Sequence, residues 1–259
     1  MIHFGVGFPD GSIFSGGRDL AKIKLPKKKI TSFDLPPGRT LAGKYRVVDQ
    51  LGSGWESEVY KVREINTGIE RAAKLFFPHR NLNNKTARFF ARKLHKLRTC
   101  SVLIQYHTEE RITFKRWPVT VLISEYVEGE LLSHFLKKFP GKRLPPFQAV
   151  HLLYALTKGI EEIHRLREYH GDLHTDNIIV NRFGLTFELK LVDLFHWSAP
   201  KTENMQDDIC GAIHVFYESL GGKKYYARQP KTVKKICLGL KRTLILKKFR
   251  TSSDLRKSL

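Results

Sequence analysis

Asp172, Asn177 and Asp193 are the residues through which this chain could do chemistry. The first two stand five apart in the run Tyr169-His170-Gly171-Asp172-Leu173-His174-Thr175-Asp176-Asn177, and Asp193 lies sixteen beyond Asn177. Phosphoryl transfer asks for such a set: one carboxylate to orient an attacking hydroxyl, and hard oxygen ligands to hold Mg²⁺ against nucleotide phosphates. The plain alternative is a polar turn in any mixed fold. What decides between them is whether other motifs follow in the right order along the chain.

The elements that must position these residues are legible from periodicity. Phe147 to Tyr169 reads as a long helix with Val150, Leu153, Tyr154, Leu156, Ile160 and Ile163 as its buried stripe. His151 and His164, on or beside that stripe, read as packing or surface histidines. Ile178-Ile179-Val180 and Leu189-Lys190-Leu191-Val192 read as two short strands after the polar run. Upstream, Lys44 to Val62 reads as strand, turn, strand, with the turn at Gly52-Ser53-Gly54-Trp55-Glu56-Ser57. Glu70 to Phe77 is a further strand, and Asn83 to Leu97 a helix with Phe90, Leu94 and Leu97 on one face and Lys85, Arg88, Arg92 and Lys96 on the other. Val102–Tyr106 and Arg111–Phe114 read as two strands around a charged turn, and Val119–Val127 as an apolar strand. Leu131 to Phe139 reads as a short helix, and another runs from near Asp207 to Leu220. Lys231 to Leu246 reads as one basic helix with Val233, Ile236, Cys237, Leu240 and Leu244 inward. Thr251-Ser252-Ser253-Asp254 has the pattern of a helix N-terminus.

The order of these motifs resembles the protein-kinase-like superfamily, which holds both protein kinases and small-molecule kinases of the aminoglycoside phosphotransferase type. His170-Gly171-Asp172 stands at the H-R-D position and Asp193-Leu194-Phe195 at the D-F-G position. The H-G-D-x-H form of the loop resembles the aminoglycoside and choline kinase branch. The ending from Arg250 to Leu259 resembles the last helix of protein kinases. The resemblance implies an α+β, two-lobed fold: a small antiparallel sheet lobe and a reduced helical C-lobe, with ATP between them. The implied divisions are an N-terminal extension (1–43), an N-lobe (44–127) and a C-lobe (128–259). The implied roles are Asp172 and Lys74 as catalytic residues and Asn177 and Asp193 as Mg²⁺ ligands. Leu51, Gly52, Gly54, Val59, Ala72, Lys74, Glu125 and Val127 would bind the nucleotide. Glu125 and Val127 would meet the adenine edge through their backbones, with Ser124 in the gatekeeper slot. Asp208 would brace the catalytic loop, and His174 would order it. The implied activity is ATP-dependent transfer to a hydroxyl-bearing acceptor, foremost protein serine or threonine. A small-molecule acceptor and a catalytically silent binding module stay open.

Two departures stand out. Ser57 replaces the third glycine of the phosphate loop, and Glu56 sits at its tip, where a carboxylate would repel phosphates. Protein kinases pair the strand lysine with a glutamate on the following helix, yet no acidic residue lies between Glu70 and Glu109, and Lys93 stands near the expected place. Glu58 and Asp19 are the candidates to pair with Lys74 instead. The segment from Leu194 to Asp207 is short, with Ala199-Pro200-Lys201 and no A-P-E closure, so a peptide-docking platform there would be small.

With 259 residues, 41% of them hydrophobic, the chain can bury the core of one two-lobed domain. Its net charge of +21 favours anionic partners, so an acidic partner for the basic surface is expected. No nucleic-acid motif accompanies the charge, and nucleic acid is not expected. Three scattered cysteines and no basic leader followed by an apolar run suggest a reducing, cytoplasmic setting. The longest apolar stretch, Val119 to Val127, is too short to span a bilayer.

Overall fold

The computed structural model describes residues 29–195 and 201–259. Asp19, the glycine turn at Phe14–Arg18 and Ala199-Pro200 lie outside the described residues.

A six-stranded antiparallel sheet forms the N-terminal lobe, in the order β1-β2-β3-β4-β6-β5. Its strands are β1 (Thr40–Leu41), β2 (Tyr45–Ser53), β3 (Ser57–Glu64), β4 (Glu70–Phe76), β5 (Tyr106–Phe114) and β6 (Trp117–Glu125). Alternation along β4 sorts its side chains between two cores. Ala73 and Leu75 join the cluster outside the sheet, and Phe76 joins the cluster that continues into the helical lobe. Ala72 and Lys74 are thereby left on the cleft side. Phe33 is buried on the outer face, stacked on Phe77 with ring centroids 5.3 Å apart. The extension therefore packs across the sheet from Ile30 onward, and β1 pairs with β2.

Of the strand expected over 102–106, only Tyr106 is in regular pairing, with Leu103 in an isolated bridge to Leu191; the charged turn expected at 107–110 and the second strand are one strand, β5. Edge position is the reason: Glu109 and Glu110 sit along β6 and reach Asn84 and Lys44 at 3.0 Å and 2.8 Å, so charge costs the strand nothing there.

Helix α1 (Lys85–Lys96) follows β4 and buries Ala87, Phe90 and Leu94, leaving Lys85, Arg88, Arg92 and Lys96 exposed. The C-terminal lobe holds a small sheet, β7 (Glu130–Leu131), β8 (Ile178–Phe183) and β9 (Thr186–Leu191). Its helices are α2 (Leu132–Lys137), α3 (Pro146–Arg165), α4 (Lys201–Ser219), α5 (Gly222–Tyr226), α6 (Lys231–Cys237), α7 (Arg242–Lys248) and α8 (Ser252–Lys257). Tyr154, expected in the buried stripe of α3, is 44% exposed, because the stripe is narrower than the spacing suggests. The single basic helix expected over 231–246 is broken in two. Leu238 and Gly239 take left-handed backbone (φ 49° and 62°), which ends α6, and Leu244 of α7 turns outward. Helix α8 begins with a capping box in which Thr251 and Asp254 bond each other's backbone.

Candidate active site

The site is assembled from three backbone sources: β4, the loop after α3, and the end of β9. Register sets the first. Val59 of β3 lies opposite Lys74 of β4, and Leu122 of β6 lies opposite it on the other side. Ala72 is likewise flanked by Ser124. Leu51, Gly52 and Gly54 are exposed at the end of β2 and in the β2–β3 turn. The Glu125 amide bonds the Gln105 carbonyl at 2.9 Å. Its side chain pairs with Lys190 at 2.7 Å, tying the start of the hinge to β9.

The loop after α3 is held from below. Asp208 of α4, buried, accepts the His170 and Gly171 amides at 2.7 and 2.8 Å and lies 3.1 Å from His164 Nε2. These bonds satisfy the carboxylate and fix the turn that presents Asp172, the bracing role expected of Asp208. His170 is fully buried with Nε2 2.9 Å from the Val192 carbonyl, and burial lowers its pKa. His174 caps the short 3-10 turn Thr175–Asn177, Nδ1 accepting the Asp176 amide at 3.2 Å, and its Nε2 lies 3.6 Å from Asp172.

The expected residues meet in two pairs. Asn177 Nδ2 donates to the Asp172 carbonyl at 2.9 Å and to its carboxylate at 3.2 Å. Lys74 Nζ donates to Asp193 at 2.6 Å across 119 residues of sequence. Backbone joins the pairs: the Val192 amide donates to the Asn177 carbonyl at 3.0 Å, one residue before Asp193. Asp193 itself has φ 56°, a left-handed position uncommon outside glycine, which is how its carboxylate leaves the strand line toward Lys74. Burial raises the Asp193 pKa, and the Lys74 ammonium outweighs it, holding the carboxyl below the usual range. Burial likewise works against the Lys74 charge, but Asp193 and Glu56 overcome it and raise its pKa.

Neither expected partner of Lys74 is confirmed. Glu58 is buried elsewhere, accepting Ser32 Oγ at 2.8 Å and the Phe33 amide at 3.1 Å. The carboxylate on Lys74, besides Asp193, is Glu56, at 3.2 Å. Along the chain Glu56 is only a loop tip; the β3–β4 register, with Ser57 opposite Phe76, brings that turn over Lys74. Lys93 of α1 is buried and bonds the Phe195 carbonyl at 2.8 Å, its ammonium 4.0 Å from the Tyr169 ring centroid. Burial lowers its pKa to about 8.

The donors suit Mg²⁺. With its Nδ2 donating to Asp172, Asn177 retains its amide oxygen as an acceptor, and Asp193 is ionised; both are hard oxygen ligands. Among the described residues no cluster of three His, Cys, Asp or Glu forms an all-protein metal cage. Two protein ligands, completed by phosphates and water, are the usual arrangement for this ion. A separate cavity of about 390 Å³, between α3 and β8–β9, includes Val127 in its lining but not Lys74, Asp172, Asn177 or Asp193.

This two-lobed fold with its cleft belongs to a known class. The protein kinase domain family model matches residues 45–229, more than half of the chain, and the chain belongs to that family. A serine/threonine-protein kinase, pkn2 of Myxococcus xanthus, is 28% identical over 61% of this chain and 18% of its own. The probable serine/threonine-protein kinase KIN1 homolog of Encephalitozoon cuniculi is 28% identical over 82% of this chain and 38% of its own. The chain therefore spans well under half the length of these curated relatives. The PknI kinase domain of Mycobacterium tuberculosis, a C20A_R136A double mutant, superposes with a TM-score of 0.62 at 18% identity, covering 87% of this chain and 96% of that one. That likeness concerns the fold.

Proposed function

We propose that this chain is an ATP-dependent kinase that transfers phosphate to serine or threonine hydroxyls of proteins. The observation that carries it is the Lys74–Asp193 contact at 2.6 Å beside the Asp172–Asn177 pair. Lys74 aligns the nucleotide phosphates. Asn177 and Asp193 hold Mg²⁺, which when bound neutralises charge on the phosphates. Asp172 accepts the hydroxyl proton; its side chain is 45% exposed and open to an acceptor. Leu51, Val59 and Ala72 enclose the base, with the Glu125 carbonyl and Val127 amide at its edge. Most of the rate gain in such chemistry comes from position and charge.

The test is phosphate transfer from labelled ATP to a panel of protein and small-molecule acceptors. Asp172→Ala is expected to lower turnover about 10²- to 10⁴-fold with an unchanged melting temperature; unchanged turnover refutes the assignment. Labelling confined to small-molecule acceptors replaces the protein substrate. A binding-module reading draws on the carboxylate of Glu56 at Lys74; absence of a thermal shift at millimolar Mg²⁺-ATP selects it.

The divisions 1–43, 44–127 and 128–259 belong to this proposal, as does an acidic partner for the exposed cations of α1. A reducing, cytoplasmic setting is supported by three free thiols, of which burial pushes Cys100 up to about 11 and Cys237 up to about 12. No helix among the described residues is long and apolar enough to cross a membrane.

A further inference from the structure

Lys74 stands between two carboxylates, one from each side of the cleft. Asp193 comes from the C-terminal lobe, and Glu56 from the turn that would lie over nucleotide phosphates. Glu56 is anchored through its backbone: its carbonyl accepts the Phe77 amide at 2.9 Å, and the Gly54 amide closes the turn on the Ser57 carbonyl at 2.9 Å. Its side chain is only 14% exposed, with Oε1 3.2 Å from Lys74 Nζ. The neighbouring α1 has no acidic residue to share the ammonium. It offers the Phe90 ring, 4.3 Å from Nζ, while its Lys93 is engaged with the Phe195 carbonyl.

We propose that Glu56 is a built-in competitor for nucleotide: its carboxylate occupies the position on Lys74 that phosphate oxygens need, and it must swing away before ATP or ADP can pair there. The proposal rests on the reading of Lys74 as a phosphate ligand. A carboxylate retained beside a triphosphate in a sheltered cleft would add like-charge repulsion, so the two anions exclude each other at one ammonium. Departure needs only side-chain rotation, since the backbone anchor at Phe77 does not involve the carboxylate. A resident partner that merely positions Lys74 would have the opposite effect on affinity.

Calorimetric titration of the full chain with Mg²⁺-ATP, Mg²⁺-ADP and adenosine separates these. Glu56→Gln keeps the shape and removes the charge. It is expected to tighten ATP and ADP about ten- to a hundredfold, with adenosine unchanged. Glu56→Ala should move the same way, which guards against a new contact made by the glutamine. ATP affinity that is unchanged or weaker in both variants overturns the proposal, provided Lys74→Met still weakens ATP in the otherwise unaltered chain. If Lys74→Met leaves ATP and adenosine binding alike untouched, the phosphate role of Lys74 falls, and the competitor role falls with it.

Discussion

Lys93 is a cation held out of water on α1, where burial works against its charge. Its place on α1 is legible, and so is the lack of a carboxylate there. That it points inward, to the Phe195 carbonyl and the Tyr169 ring, follows only from the packing of α1 against the loop. Its charge is disfavoured by burial, offset in part by Glu168 and Asp208 and worsened by Lys201 and Lys96. Folded, it titrates near 8 instead of 10.5. Between those values the unfolded chain holds more protons than the folded one, so stability rises with pH across that window. The difference corresponds to about 3 kcal/mol. Urea unfolding at pH 7.5, 9 and 10.5 should therefore show the native chain gaining on Lys93→Met by roughly that amount. A constant gap between the two would show that Lys93 is not titrating in this range. Asp172 and Asn177 are different in kind. Their place beside each other is legible because they stand five apart in one short polar run, and the turn there brings the Asn177 amide onto Asp172.

Elements were legible where burial follows one period, and misread where a break is local. Helix α3 and the β8–β9 pair were found from apolar spacing, to within a few residues. The long basic helix was not, because Leu238 and Gly239 interrupt it without changing the apolar pattern. The glycine of α3 is another feature that only packing explains. A Cβ at Gly159 would meet the Val102 side chain at 2.5 Å, and Val102 is buried and branched, with little freedom to yield. The Val102 carbonyl in turn accepts the Leu191 amide at 2.7 Å, so the segment before β5 is tied to the end of β9, two residues ahead of Asp193. Gly159→Ala would favour the helix by about 1 kcal/mol on propensity alone. The clash is expected to dominate, destabilising the fold by about 1–3 kcal/mol. Denaturant unfolding measures it, and a more stable variant would show that the helix can move away from Val102.

At the scale of the molecule, a net charge of +21 sets the terms. From Gly221 to Arg250 the chain has no acidic residue, and its cations are mostly exposed. The exposed ion pairs, such as Lys44–Glu110 and Lys138–Glu130, are each worth little. Self-repulsion is the larger effect, and salt screens it: the Debye length falls from about 10 Å at 0.1 M to about 3 Å at 1 M. Raising sodium chloride over that range is expected to raise the melting temperature by about 2–5 °C. A fall would mean that ion pairs across the lobes, including Glu125–Lys190, outweigh the repulsion.

Local order in the sequence determined the class of fold and most of the succession of elements. These depend on spacings of a few residues, where covalent geometry and side-chain period act directly. Only the tertiary structure decided which charges meet. Glu56 rather than Glu58 reaches Lys74, and Asp208 holds the loop from a helix 37 residues away at Gly171. Such pairings depend on strand register, on which face each side chain takes and on how two lobes close, and none of these is written at a fixed distance along the chain.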